Sequence, residues 1–105
     1  MGNDDDIYST YSDDPDLLEV IEDFVRSLPT QVDAVEEALR KRDLVALGTL
    51  AHRLRGAGGT VGFDAITGAA ECVELLARGG EGDLEQAVSN LARVCRSARP
   101  GLPPT

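Results

Sequence analysis

The chain carries one imidazole, His52, so any chemistry that needs such a ring near neutral pH must use it. Gly48 lies one turn before it, Gly56 one turn after, and Gly59 nearly another turn on. Glycine inside a helix costs roughly 0.5–1 kcal/mol relative to alanine. A helix that accepts this several times around one side chain is suited to the close approach of another molecule. A neutral imidazole nitrogen is a good nucleophile toward a phosphoryl group. The resulting phosphoramidate keeps a high transfer potential, because its nitrogen can be protonated as it leaves. Arg55, three residues on, shares that side of the helix and can hydrogen-bond phosphoryl oxygens. Arg53 projects at a different angle, and a solvated helix charge is the better account of it than added positive potential. No residue nearby in the sequence offers a second nucleophile or an orienting acid.

Helical periods run on both sides of this segment. Asp14-Pro15 reads as a cap followed by a first-turn proline, and Leu17, Leu18, Ile21, Phe24, Val25 and Leu28 form an apolar stripe that should stop or bend at Pro29. Thr30 to Arg42 resumes the period through Val32, Val35 and Leu39, with acids early and bases late. Asp43 can cap the helix that bears His52, whose inner stripe is Leu44, Leu47, Leu50, Ala51, Leu54 and Gly58. His52 then projects roughly 140° from the centre of that stripe, toward solvent. After a break at Gly62-Phe63, a helix from Asp64 with Ile66, Ala69, Ala70, Val73 and Leu76 inward ends at Gly79-Gly80. Asp83 with Gln86 opens a last helix carrying Leu84, Ala87, Val88, Leu91, Val94, Cys95 and Ala98. No strand and no internal repeat is read. The fold expected is all-α: an antiparallel up-down four-helix bundle from about residue 30 onward, with an additional N-terminal helix over 15–28 covering one end or side.

Composition bounds what such a bundle can do. One domain accounts for 105 residues. Of the nineteen acids behind the net charge of −9, nine precede the first base, Arg26, leaving ten acids against ten bases thereafter. This balance argues against nucleic acid or an anionic membrane as partner. Residues 1–13 are predicted to be a disordered acidic segment, the alternative being an arm in which Ile7, Tyr8 and Tyr11 fold back. The bundle is expected over 14–98 and a Pro-rich tail over 99–105. Cys72 and Cys95 cannot build a disulfide framework or, with one histidine, a structural zinc site, and both are expected to line helices as small apolar residues. With no membrane-length apolar run and no signal-peptide pattern, a cytoplasmic location is the expectation.

The run Ala51-His52-Arg53-Leu54-Arg55-Gly56-Ala57-Gly58-Gly59-Thr60-Val61-Gly62-Phe63 resembles the signature of histidine-containing phosphotransfer domains, an Ala-His-x-Leu-Lys-Gly core followed by small residues and a second glycine. Arg55 stands where such families usually place Lys. It keeps the charge but exchanges a compact ammonium for a broader fork. The resemblance implies that His52 is phosphorylated and that the partner is a response-regulator receiver domain or a hybrid histidine kinase; the residues expected from the spacing to contact the phosphoryl group or admit the partner are Arg55, Gly56, Gly48 and Gly59, with Arg53 the weakest of the set. It also implies that the receiver brings the accepting aspartate and Mg²⁺, while this chain binds no cofactor or metal. With no Walker-type run and no acid cluster around His52 in the sequence, a phosphoryl carrier without kinase activity of its own is expected, as a monomer. It could stand alone or belong to a longer hybrid protein. Two rivals remain at this point: a docking module that binds receivers without turnover, and a small hydrolase or nucleotide enzyme using His52 as general base in a concave pocket with a partnering acid.

Overall fold

The computed structural model describes residues 6–103. Its four helices are α1 (Leu18–Arg40), α2 (Leu44–Thr60), α3 (Asp64–Ala77) and α4 (Leu84–Arg96), joined by short connections. Each packs on its neighbours in the chain, and α4 closes back on α1. The shared core is built from Leu, Val, Ala and Ile, with Phe24 and Phe63 stacked at 5.7 Å between ring centroids. Asp43 caps α2 by accepting from the Ala46 N–H, and Asp83 caps α4 by accepting from the Gln86 N–H, as the spacing predicts. Among the described residues, no helix is long and apolar enough to cross a membrane.

The expected extra helix over 15–28 does not exist as a separate element. α1 runs through Pro29, so the chain makes its four helices from residue 18 onward. Burial explains the difference. Ile21, Phe24, Leu28, Val32, Val35 and Ala38 stay on one buried face across the proline, while the Pro29 ring stands in solvent. Proline in a helix costs about 3 kcal/mol, whereas each fully buried large apolar side chain contributes roughly 1.5–3 kcal/mol. Several of them outweigh one lost hydrogen bond. Nor does Asp14-Pro15 open the helix: Asp14 accepts from the Asp16 N–H within a turn, and α1 starts at Leu18 without a side-chain cap.

Disorder does not hold for 6–13, and the chain is not free of strands. A two-residue strand β1 (Ile7–Tyr8) pairs in parallel with β2 (Ala98–Arg99), just beyond α4. The arm continues across the turn between α2 and α3, where Thr10 N–H donates to Gly62 O at 2.9 Å and the buried Ser9 hydroxyl donates to Val61 O. It thus satisfies carbonyls left over at a helix end, and Ile7 packs partly against the core. Composition registers the acids but not these backbone partners. Residues 1–5 of the expected acidic segment and 104–105 of the tail lie outside the described residues.

Cys95 is buried and desolvation pushes its thiol up to about 11, as suits a small apolar core residue. Cys72 departs from expectation, facing solvent on α3.

Gly62 turns the chain from α2 to α3 at φ +80°, and a Cβ there would lie within 3 Å of Ser9, Thr10 and Tyr11 side chains. Gly62→Ala is expected to lower stability by about 1–3 kcal/mol in urea unfolding, through backbone strain and a displaced arm. An unchanged midpoint would show that the arm does not bear on this turn.

Candidate functional site

Small residues line the contact between α2 and α3. A Cβ on Gly58 would stand 3.1 Å from Thr67 Oγ1 and 3.3 Å from Ile66 Cγ2. Thr67 Oγ1 donates to the Arg55 carbonyl at 3.1 Å, joining the two backbones sideways. Rising residue numbers along α2 meet falling ones along α3: Gly48 faces Ala77 and Arg78, His52 faces Glu74, and Gly58 faces Ile66. This register delivers one carboxylate to the edge of the imidazole.

His52 is on the surface, with its side chain 55% exposed, and its ring is not free on both sides. Nδ1 lies 2.9 Å from Glu74 Oε2. An ionised carboxylate can only accept, so in the neutral ring this contact calls for the proton on Nδ1 and the lone pair on Nε2. Arg55 Nη2 stands 3.3 Å from the same Nδ1. With a proton already on that nitrogen, the guanidinium is packed against the ring edge and does not donate to it. The contact with Glu74 meets both needs of a phosphoryl acceptor: a fixed tautomer and an available nucleophile.

Glu74 is the candidate-site residue that sequence reasoning missed, and an acid stands beside the imidazole after all. Its side chain is only 6% exposed. Burial of a charge is tolerable when it is paired, and Glu74 is paired twice besides its bond to His52. Arg78 Nη1 lies 2.7 Å from Oε2, and Arg55 Nε lies 3.4 Å from Oε1, an oxygen that otherwise has no hydrogen bond. A signal existed in the sequence. Glu74 falls among the inward positions Ala70, Val73 and Ala77 of α3, with Arg78 one turn on, where an acid has no reason to be unless something opposite binds it.

The other expected site residues divide into two groups. Arg55 is beside the ring, and Gly56 opens to solvent, with nothing within 4 Å of where its Cβ would stand. No packing contact accounts for that glycine. Gly59 is exposed beside Thr67, and Arg53 is exposed on α2. Gly48, expected to admit a partner, is instead buried. A Cβ there would meet Arg78 Nε at 3.4 Å and Ala77 Cβ at 3.8 Å. It packs inside the molecule, beneath the arginine that reaches Glu74. Among the described residues, no group of His, Cys, Asp and Glu is arranged to hold a metal ion.

Glu74→Ala should convert His52 from one ring tautomer to a mixture, read as two-bond ¹⁵N–¹H correlations of the imidazole, while the bundle keeps its helical signal. A variant that retains a pure Nδ1–H tautomer would show that another group sets the proton.

Hpt domain is the family whose model matches the chain, over residues 19–98. No curated protein and no solved structure matches it. The matched span takes in all of α2, α3 and α4 and nearly all of α1. Domains of this family are phosphotransfer modules of two-component signalling that interact with receiver domains and kinases. By the extent of that match, and with an exposed imidazole on its second helix, the chain belongs to the Hpt domain family.

Proposed function

We propose that the protein is a phosphoryl carrier of a phosphorelay. His52 Nε2 takes a phosphoryl group from a receiver aspartyl phosphate, or directly from a kinase, and passes it to another receiver aspartate. The observation that carries this reading is the 2.9 Å contact between His52 Nδ1 and Glu74, which frees the outward nitrogen as nucleophile. In the forward step the Nε2 lone pair forms the N–P bond as the acyl P–O bond breaks, and the electron pair leaves on the aspartate carboxylate. The ring becomes cationic with its Nδ1 proton in place, facing the Glu74 carboxylate, so no proton has to move. Reversal regenerates the neutral ring. Arg55 supports the phosphoryl oxygens, and Gly56 leaves room for the incoming domain.

The remaining parts of the reading follow from this chemistry. The Mg²⁺ ion and the second carboxylate belong to the receiver, and the carrier brings no nucleotide site and no kinase activity of its own. Its three short connections, and the opposed numbering of α2 and α3, support an antiparallel up-down course for the four helices. A monomer acting in the cytoplasm fits a module that must meet two partners in turn on one face. Glu74 is also the one observation that favours a general-base hydrolase, since it supplies the partnering acid that such a reading needs. Against it, the ring stands 55% exposed on α2, where water is not excluded and a small substrate would be held on few sides.

Incubation with a phosphorylated receiver should give an acid-labile, base-stable label on the wild-type protein and none on His52→Gln. Label persisting in that variant would defeat the proposal. Gly56→Leu should preserve the melting temperature, since leucine is the better helix former, yet slow transfer by about ten- to a hundredfold by displacing the partner. Transfer at the wild-type rate would show that no partner seats against this turn.

A further inference from the structure

Arg78 is arranged for more than holding Glu74. It follows the last residue of α3, immediately before Gly79 at φ +105°, so no further helical turn brackets its side chain. The side chain lies back over Gly48 of α2 and ends on Glu74 Oε2, the same oxygen that binds His52 Nδ1. Its guanidinium is therefore within two hydrogen-bond lengths of the imidazole, and yet the side chain is 58% exposed. Arg55 approaches the ring from the other side along α2, at 3.3 Å. Two cations are thus gathered around one carboxylate beside a nucleophilic nitrogen. A single buried carboxylate is neutralised by one of them, so the pair leaves one positive charge in excess.

We infer that Arg78 is a second phosphoryl-binding cation, kept on Glu74 while His52 is unmodified and transferred to the phosphoryl oxygens once the N–P bond has formed. The inference rests on His52 being the phosphoryl acceptor. The phosphoryl group adds about two negative charges next to the ring. An arginine fork binds phosphate in a bidentate manner, at least as well as it binds carboxylate. Glu74 is not left uncompensated by the exchange, because the phosphorylated ring is itself cationic and remains bonded to it through Nδ1.

The test uses phosphoramidate as donor, which needs no partner protein. Nε2 attacks phosphorus, the P–N bond of the reagent breaks, and ammonia leaves. On the intact chain, phosphorus NMR then follows the titration of the phosphoryl oxygens, and nitrogen-15 NMR follows the Arg78 Nε–H signal. Positive charge favours the dianion. Arg78→Gln should therefore raise the phosphoryl midpoint by about half a unit or more, Arg78→Lys should restore most of it, and the remote Arg93→Gln should leave it unchanged. On phosphorylation of the wild type, a phosphorus–nitrogen coupling across a hydrogen bond should appear at the shifted Arg78 side-chain signal, which an arginine that stays on Glu74 would not show. A wild-type midpoint in Arg78→Gln, or the absence of that coupling, overturns this inference alone. Failure of His52 to accept the phosphoryl group overturns the carrier reading and this inference with it.

Discussion

The separation between α2 and α3 governs everything at the surface. Glu74 meets His52 only because Gly58 lets Ile66 and Thr67 come within van der Waals contact of α2, and because Thr67 hydrogen-bonds to the Arg55 carbonyl. A methyl group at 58 would have to displace side chains already near their closest approach. A hydrogen bond of 2.9 Å has little tolerance for such displacement. The glycines of this segment therefore serve different ends. Gly58 lets the helices pack closely, Gly48 lies beneath Arg78, Gly62 makes the turn, and Gly56 and Gly59 face solvent, Gly56 with nothing within 4 Å of where its Cβ would stand.

The electrostatics of the site follow from that spacing. Taking a carboxylate out of water costs several kcal/mol unless partners repay it, and Glu74 has three: the imidazole and two guanidinium groups. None of the three is deeply buried. The polar network thus sits at the boundary between core and solvent, where charges still interact strongly but can exchange partners. Salt bridges elsewhere, such as Arg26 with Asp23 and Arg96 with Glu36, join exposed side chains and contribute little to stability. Among the described residues, the cluster beside the imidazole is built on an acid that is nearly out of water, Glu74.

Much of this was legible before any coordinates. The periods of α2, α3 and α4, the caps at Asp43 and Asp83, and an outward His52 with Arg55 beside it could all be read from spacing, since each depends on residues within a turn or two. What was not legible depended on distance along the chain. Pro29 is a local signal for a break, and burial of Val32, Val35 and Ala38 on the same face as Leu28 overrode it. The arm over 6–13 is polar and looks unstructured on composition, but its partners are carbonyls at 61, 62 and 97. Glu74 lies 22 residues from His52, and only the register between two helices makes them neighbours. Gly48 was read as an opening for the same reason that Arg78 was overlooked.

Pairing of β1 with β2 has a consequence for anything joined to this chain. Ile7–Tyr8 and Ala98–Arg99 lie side by side as hydrogen-bonded strands, so the described segments on either side of the helices meet at neighbouring points of the bundle. A tether continued from Ile7 or from Arg99 would start at nearly the same place on the bundle. The local concentration of a fused domain at the imidazole would then be set by linker length and stiffness, and hardly by which terminus carries it.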